Sequence, residues 1–315
     1  MMNATARIML SGFTNLSEVE PQPISITKQT IFQENTAFEN FLFTLAHQQP
    51  EQAIRLLNEW IETLPSYDGT TDGSDVVLPG VKAPIDIPSH WAEKPVHFIP
   101  NGFANPKAPR LIYIVRNQYF FCQEQNLREW LWKVHGTKSP QRILDIGCGT
   151  GTTTFVYGEL FPNADVIGID LSAPLIRFCR DWKAQRGASK VFFYQENAEV
   201  THWTDNSFDI VHFTYVLHEM PQENARKILQ EMYRLLKPGG TFSAMEVMYD
   251  ETAQEREARV SRSRAAEPFL EEYMHLNLPV AIGDTGFKYI KRHYDCKFPS
   301  SDGMFLTALK PNTRE

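Results

Sequence analysis

Three glycines at alternating positions are the first residues that could bind a small ligand. Gly147, Gly149 and Gly151 directly follow the apolar stretch RILDI and precede a segment of helical character. Glycine lets the backbone turn tightly and approach a ligand without a Cβ clash, and the free N–H groups at a helix start attract anionic groups. A glycine loop alone also fits a plain turn between a strand and a helix, so further residues must decide.

Two acidic residues make the loop more specific. Asp170 ends the next apolar stretch, DVIGID, roughly 20 residues after the loop, where a carboxylate can accept hydrogen bonds from both hydroxyls of a ribose. Asp145 lies inside the glycine motif, where it would repel a pyrophosphate but could bind an ammonium group. The spacing GxGxG also differs from the GxGxxG of dinucleotide-binding proteins. Together these residues predict a nucleoside ligand at the carboxyl ends of parallel strands.

Four polar side chains at the ends of later strands could take part in catalysis. Tyr215 ends the stretch FDIVHFTY, His218 and Glu219 follow it closely, and Glu246 lies at the end of TFSAMEV. A histidine with the ordinary pKa of about 6.5 can act as a general base, and a phenol can orient a substrate. Each residue also has a structural alternative: shaping the turn, aromatic packing or a strand-end ion pair.

The elements that must position these residues alternate between strands and helices. Short apolar runs predict strands at 142–147, 165–170, 191–195, 208–215 and 241–247. An amphipathic helix separates the last two, and FKYIKRHYD and MFLTALK predict a final antiparallel pair. Alternating strands and helices favour right-handed βαβ units, so the predicted fold is α/β with a mostly parallel sheet.

The first 110 residues differ from this regular region. Residues 1–30 are polar, apolar residues recur at helical spacing between about 35 and 64, and seven prolines lie between 79 and 109. Proline breaks regular structure, whereas interleaved aromatic residues such as Trp91, Phe98 and Phe103 would be wasted in a disordered linker. We call residues 66–110 the wrap. We expect two parts: 1–110, an N-terminal helical extension with the wrap as a cap or lid, and 111–315, the ligand-binding domain.

Charge and composition exclude several classes of protein and site. The 315 residues include 31 Lys and Arg against 38 Asp and Glu, a net charge of -7, whereas nucleic-acid binding needs clustered basic residues. No apolar run approaches the roughly 18 residues of a membrane span, and the four cysteines are far apart. The string HEMPQ lacks the second histidine of a zinc HExxH motif. We expect a cytoplasmic protein with neither a metal site nor an integral membrane part.

These motifs resemble those of the class I S-adenosylmethionine-dependent methyltransferases. Leu144–Gly151 reads LDIGCGTG like the family's first motif, and GIDLS, Asn197-Ala198, FDIVHFTYVLHEMP and LLKPGGTF resemble later ones, over roughly residues 140–247. The resemblance implies a Rossmann-like, mostly parallel seven-stranded sheet with an antiparallel last strand and helices on both faces. It also implies methyl transfer from S-adenosyl-L-methionine to a small organic acceptor by in-line displacement, with oxygen, nitrogen, carbon and sulfur all open as accepting atoms.

The resemblance further implies how the cofactor is held. The glycine loop and Asp145 would border its methionine part, Asp170 and Leu171 its ribose, and Asn197 and Ala198 its adenine. Tyr119 could close over the cofactor, as aromatic residues before the first motif do in similar enzymes. The wrap and residues 250–285 are the segments expected to line the acceptor pocket. Two rivals stay open: a non-catalytic S-adenosylmethionine-binding sensor or scaffold, and a nicotinamide-dependent oxidoreductase, which the spacing GxGxG and Asp145 disfavour.

Overall fold

One seven-stranded sheet organises the part of the chain that the computed structural model describes, residues 50–92, 99, 101–118, 124–247, 267–293 and 303–312. Its strands are β1 Arg142–Ile146, β2 Asp165–Asp170, β3 Val191–Gln195, β4 Phe208–Thr214, β5 Leu236–Val247, β6 Lys288–Arg292 and β7 Gly303–Leu309. They are arranged in the order β3-β2-β1-β4-β5-β7-β6. Strands β1 to β5 are parallel, and β7 is antiparallel to both β5 and β6.

This sheet confirms the predicted α/β, Rossmann-like fold. The described helices are α1 Pro50–Thr63, α2 Ser89–Ala92, α3 Pro109–Gln118, α4 Glu124–His135, α5 Thr152–Leu160, α6 Ala173–Arg186, α7 Gln222–Leu235, α8 Leu270–Tyr273 and α9 Leu278–Asp284, with short 3-10 turns at Gly102–Ala104 and Leu217–Glu219. The central strands read as continuous apolar runs because parallel strands between helices are buried on both faces. All five strands predicted before residue 250 and the final antiparallel pair are present.

Local sequence signals set the ends of several elements. Helix α6 begins after Ser172, whose hydroxyl accepts a hydrogen bond from the Leu175 N–H at 3.2 Å, and ends at Gly187, which has φ +65°. Strand β4 ends at Thr214 because the next residue, Tyr215, turns the chain with φ +54°. These ends fix where the candidate site residues leave the sheet.

Strand β5 begins five residues earlier than predicted. The sequence places its start at Thr241, but the KPGG segment is already part of the strand, and Leu236 pairs with Phe208 before a register shift. The glycines of KPGG contact the carboxyl end of β7, since Gly239 donates to the Lys310 carbonyl and Lys310 donates back to Gly240. This pairing comes from a segment about 70 residues away, so a turn signal read locally could not reveal it.

The chain forms two compact units, Met1–Thr63 and Leu64–Glu315. In the first unit the structure describes α1, which lies within the stretch of helical spacing that the sequence shows and ends with Thr63 Oγ1 donating to the Trp60 carbonyl at 2.7 Å. The helical stretch predicted from about residue 35 and the segment 248–266 lie outside the described residues. The division into 1–110 and 111–315 stays a prediction. Along the described residues, no helix is long and apolar enough to cross a bilayer.

The strand order reverses between β1 and β4, which are neighbours in the sheet although β2 and β3 intervene in sequence. In open α/β sheets such a reversal opens a crevice at the carboxyl ends of the strands, where ligands bind. The glycine loop follows β1, and the turn carrying Tyr215 and His218 follows β4. The topology therefore brings two of the predicted site segments to the same edge.

Candidate active site

The loop between β1 and α5 turns through three left-handed glycines. Gly147, Gly149 and Gly151 have φ values of +60°, +55° and +79°. The Cys148 N–H donates to the Ile169 carbonyl of β2, and the Gly151 N–H donates to the Cys148 carbonyl, both at 2.9 Å. Left-handed backbone costs other residues roughly 1–2 kcal/mol, so the turn itself favours glycine at all three positions.

Tertiary packing gives a second reason for two of these glycines. A Cβ on Gly147 would lie 2.6 Å from Cγ2 of Val216, and one on Gly151 would lie 3.0 Å from the Cys179 sulfur and the Phe193 ring. The sequence suggested that glycine allows a tight turn and the close approach of a ligand. At these two positions protein atoms already fill the space that a side chain would need, and the Val216 contact joins the loop to the turn after β4.

The carboxylate of Asp170 ties the glycine loop to the start of α6. Its Oδ2 accepts the Gly149 N–H at 2.9 Å, and its Oδ1 accepts the Ser172 N–H at 2.9 Å. A carboxylate is also the kind of acceptor that binds the two hydroxyls of a diol. Leu171, between these residues, accepts a 2.8 Å hydrogen bond from Gln195 Nε2 on its carbonyl. Several hydrogen-bond acceptors are therefore held in place at the end of β2.

Asp145 is buried within the sheet at 1% exposure. Its Oδ2 accepts a 2.6 Å hydrogen bond from the hydroxyl of Thr154, in the first turn of α5. The residue pairs in register with Gly168 on one side and His212 on the other. Asp145 therefore holds the helix start against β1. Its contact with an ammonium group stays a prediction.

Both polar atoms of the Asn197 amide, just after β3, form hydrogen bonds. Its Oδ1 accepts the Glu199 N–H at 2.9 Å, and its Nδ2 donates to the carbonyl of Asp86 in the wrap at 3.3 Å. The predicted adenine contact of Asn197 would thus use a remaining lone pair of Oδ1. Ala198 is partly buried and packs against the hydrophobic core. Tyr119 lies outside the described residues.

His218 and Glu246 form a buried ion pair at the ends of β4 and β5. His218 Nδ1 lies 2.7 Å from Glu246 Oε2, while Glu246 Oε1 accepts the N–H groups of Val216 and Leu217, each at 2.8 Å. Glu246 is fully buried and His218 is 5% exposed. The carboxylate also accepts the Val247 N–H on Oε2 at 2.8 Å. This residue therefore holds both the histidine and the backbone of the turn before it.

The charge of His218 follows from this pairing. Burial lowers the pKa of the imidazole, but the attraction and hydrogen bond of Glu246, together with Glu219 and Glu267, outweigh burial and raise its pKa to about 10. A histidine with this pKa is an imidazolium at neutral pH and has no lone pair with which to accept a proton. The general-base role that the sequence suggested for His218 stays a prediction, and the raised pKa favours donation of a hydrogen bond by this side chain.

Two aromatic rings flank the imidazole. The ring of Tyr215 meets it edge-on at a centroid distance of 6.0 Å, and the ring of Tyr273 in α8 lies 6.1 Å away. Tyr215 has φ +54°, a costly conformation for a residue with a side chain, and its N–H donates to the Met245 carbonyl at 2.8 Å. Glu219 Oε1 lies 3.7 Å from Nε2 of the histidine. All four predicted catalytic residues thus belong to one cluster.

The structure also shows a buried polar chain that the sequence did not suggest. Ser243 Oγ lies 3.2 Å from His135 Nε2 and 2.9 Å from His212 Nδ1, and His212 Nε2 lies 2.7 Å from Thr214 Oγ1. Burial lowers the pKa of His135 to about 3, so this imidazole is neutral. Polar residues at alternate positions of β4 and β5 could have indicated these hydrogen bonds. The apolar residues between them, however, made both strands resemble ordinary buried strands. Across the described residues, no group of three metal-binding side chains occurs.

Comparisons with known proteins agree with this geometry. A family model described as a methyltransferase domain matches residues 137–274. The ubiquinone/menaquinone biosynthesis C-methyltransferase UbiE of Pseudomonas paraeruginosa is 33% identical over 123 residues, which cover 37% of this chain and 47% of that protein. The demethylmenaquinone methyltransferase of Thermus thermophilus is 33% identical over 109 residues, or 35% of this chain and 48% of that protein. The chain thus spans about half the length of these curated relatives.

A solved structure supports the fold separately. The crystal structure of a candidate O-methyltransferase from Nostoc punctiforme matches with a TM-score of 0.50 at 17% identity, over 65% of this chain and 61% of that chain. At this identity the likeness concerns the fold alone. The glycine loop, Asp170 and the turn after β4 all lie within residues 137–274, the part of the chain that is similar to the methyltransferase-domain family.

Proposed function

We propose that this protein transfers a methyl group from S-adenosyl-L-methionine to a small organic acceptor. The observation that carries the proposal is the joint position of two sites at one edge of the sheet. Asp170 holds the glycine loop through the Gly149 N–H, and the same loop packs through Gly147 on Val216, in the turn that carries His218. The residue assigned to the nucleoside, Asp170, and the cationic side chain of His218 are thus connected through the glycine loop.

The residues present fit this cofactor. Asp170 offers a partly buried carboxylate to the ribose hydroxyls, and Leu171, Asn197 and Ala198 follow as the neighbours of ribose and adenine. Thr150 Oγ1 is buried in the glycine loop and has no hydrogen-bond partner among the described residues, as suits a loop whose polar groups serve a ligand. The bound cofactor supplies a methyl group on a sulfonium, which makes alignment with the acceptor the main catalytic requirement.

We further propose that His218 binds the acceptor as a hydrogen-bond donor. Glu246 holds the ring by Nδ1, and Nε2–H, which lies 3.7 Å from Glu219 Oε1, is the donor that can point toward an acceptor. A buried imidazolium stabilises negative charge on a neighbouring oxygen. This favours an acceptor with a phenol or enol oxygen, and the rings of Tyr215 and Tyr273 beside the histidine suit its apolar part.

We place the reaction in a reducing, cytoplasmic-type compartment and assign it no nucleic-acid partner. Two observations support the first part. Cys148 and Cys179 are buried cysteines that form no disulfide, and the Cys179 sulfur donates to the Gly149 carbonyl at 3.3 Å, which requires the thiol form. The net charge of -7 supports the second part, because a polyanion would be repelled.

A labelling screen tests the proposed function. The purified full chain is incubated with methyl-labelled S-adenosylmethionine and a fractionated metabolite extract, and products are identified by mass spectrometry. We expect label in a small molecule, and no label with Asp170→Ala. Binding of the cofactor with no labelled product in any fraction would instead support a non-catalytic sensor. Binding of a nicotinamide dinucleotide in place of S-adenosylmethionine would support an oxidoreductase.

A further inference from the structure

The described part of the wrap lies along the outer edge of the sheet, next to β3. The Gln195 N–H donates to the Val76 carbonyl at 2.8 Å, and Val77 pairs in parallel with Gln195. Strand β3 is the last strand on that side of the sheet. Because an edge strand presents unpaired backbone groups, this pairing gives the wrap a fixed position rather than a loose covering.

An arginine of α6 fastens the wrap at this position. Arg177 Nε and Nη2 lie 2.7 Å from Oδ2 and Oδ1 of Asp75, a bidentate ion pair. The same guanidinium donates to the carbonyls of Tyr67 and Thr70, both at 3.2 Å. Hydrogen bonds from Arg177 hold the pKa of Asp75 well below its usual range. A Cβ on Gly69 would lie 2.1 Å from the guanidinium, so the wrap fits closely around this side chain.

A second arginine repeats the pattern one turn along the same helix. Arg180 donates to the Asp75 carbonyl at 2.5 Å, to the Val76 carbonyl at 3.1 Å and, from Nε, to the Phe193 carbonyl of β3 at 2.9 Å. It thereby bridges the wrap and the strand beneath it. The wrap is held by charge-assisted hydrogen bonds from both arginines, which are stronger than neutral ones.

The fastened wrap reaches the carboxyl ends of β2 and β3. Ser172 donates from Oγ to the Phe103 carbonyl at 2.5 Å, two residues after Asp170. Asn197, two residues after the end of β3, donates to the Asp86 carbonyl at 3.3 Å. These are the strand ends to which the proposed function assigns the ribose and the adenine. The ion pair of His218 lies elsewhere, at the ends of β4 and β5.

We propose that the wrap positions the adenosine half of the cofactor, and that the Asp75–Arg177 ion pair keeps it in place. The inference rests on the proposed function and changes one expectation from the sequence, in which the wrap lined the acceptor pocket. Arg177 is a positioning residue: it acts through the wrap and not by contact with the ligand. When the ion pair is broken, the wrap can move away from the ends of β2 and β3. The fraction of the protein that can bind the cofactor then falls.

Calorimetric titration with S-adenosylhomocysteine and with 5′-methylthioadenosine, which lacks the amino-acid part, tests this inference. If Arg177→Ala lowers the docked fraction to about a tenth, the Kd of both ligands rises about tenfold. Gly69→Ala, which crowds Arg177 without removing an ion-pair partner, should act in the same direction. The charge swap Asp75→Arg with Arg177→Asp should recover part of the affinity. Arg128→Ala is the matched control, because it breaks an ion pair with Glu159 in which no residue of the wrap takes part.

The outcomes separate this inference from the proposed function. If the wild-type chain binds neither ligand, the proposed function fails. If it binds both and Arg177→Ala binds them equally well, the inference alone fails, even when the variant melts at a lower temperature. A loss of affinity for S-adenosylhomocysteine without a loss for 5′-methylthioadenosine would also overturn it, since the effect would then not involve the adenosine half.

Discussion

The carboxylate of Glu246 binds the side chain of His218 through one oxygen and the backbone of the preceding turn through the other. The Nδ1–Oε2 distance is 2.7 Å, and the N–H groups of Val216 and Leu217 each lie 2.8 Å from Oε1. One buried acid therefore determines both the shape of the turn after β4 and the charge of the histidine on it. A change at Glu246 should affect stability and acceptor chemistry together, while leaving the cofactor loop in place.

Glu246→Gln tests this double role. The amide keeps the size of the side chain but removes the charge that holds His218 as a cation, and loss of one partner of a buried pair costs about 3 kcal/mol of unfolding free energy. We expect this loss in urea denaturation and a marked fall in methyl-transfer turnover, with the Kd for S-adenosylhomocysteine unchanged. Glu223→Gln is the control, because Glu223 is an exposed acid paired with Lys227. Unchanged turnover in Glu246→Gln would contradict the proposed role of the pair.

The raised pKa of His218 predicts a pH dependence of stability. A group whose pKa is raised on folding stabilises the protein fully below its unfolded pKa, and this contribution is lost as the pH rises through the folded pKa. For His218 the window runs from 6.5 to about 10. We expect the melting temperature of the wild type to fall relative to that of His218→Gln across this window. Parallel curves for the two proteins would show that His218 is neutral in the folded state.

Asp170→Asn should weaken cofactor binding. The substitution removes the negative charge that accepts from the Gly149 N–H and, in our proposal, from the ribose. Loss of a charged hydrogen bond costs about 2 kcal/mol, which corresponds to an increase of about 30-fold in the Kd for S-adenosylhomocysteine. Asp165→Asn is the matched control, since Asp165 lies at the opposite end of β2 and pairs with exposed Lys190. Equal affinities of the two variants would remove Asp170 from the site.

Gly151→Ala and Gly187→Ala separate backbone strain from packing. Both glycines have positive φ, +79° and +65°, but a Cβ on Gly151 meets Cys179 and Phe193 at 3.0 Å while one on Gly187 meets nothing within 4 Å. We expect a loss of unfolding free energy of about 1 kcal/mol for Gly187→Ala from the backbone and about 3 kcal/mol for Gly151→Ala, where crowding adds to it. Urea denaturation measures the unfolding free energy of both variants. Equal losses would show that the glycine loop shifts to make room for the added methyl group.

The periodicity of the chain was sufficient to predict the sheet. The strands that carry Asp170 and Glu246 are short, mostly apolar runs bounded by glycine, proline and charged residues, and apolar burial depends mainly on such local patterns. The glycine spacing and the acid at the end of the second strand likewise predicted the family, because a tight loop at a strand end allows few residue types. These features depend on residues that are close together in the chain, so a single sequence is sufficient to predict them.

The tertiary structure decided what the sequence could not. Glu246 lies 28 residues after His218, and Asp75 lies 102 residues before Arg177, so neither pair has a sequence signal. The charge of His218 depends on burial and on a partner that arrives from another strand. The position of the wrap depends on an edge strand and two arginines of α6. The sequence by itself therefore determined the architecture and the cofactor class, whereas long-range contacts decided the ion pair of the histidine and the strand ends that the wrap reaches.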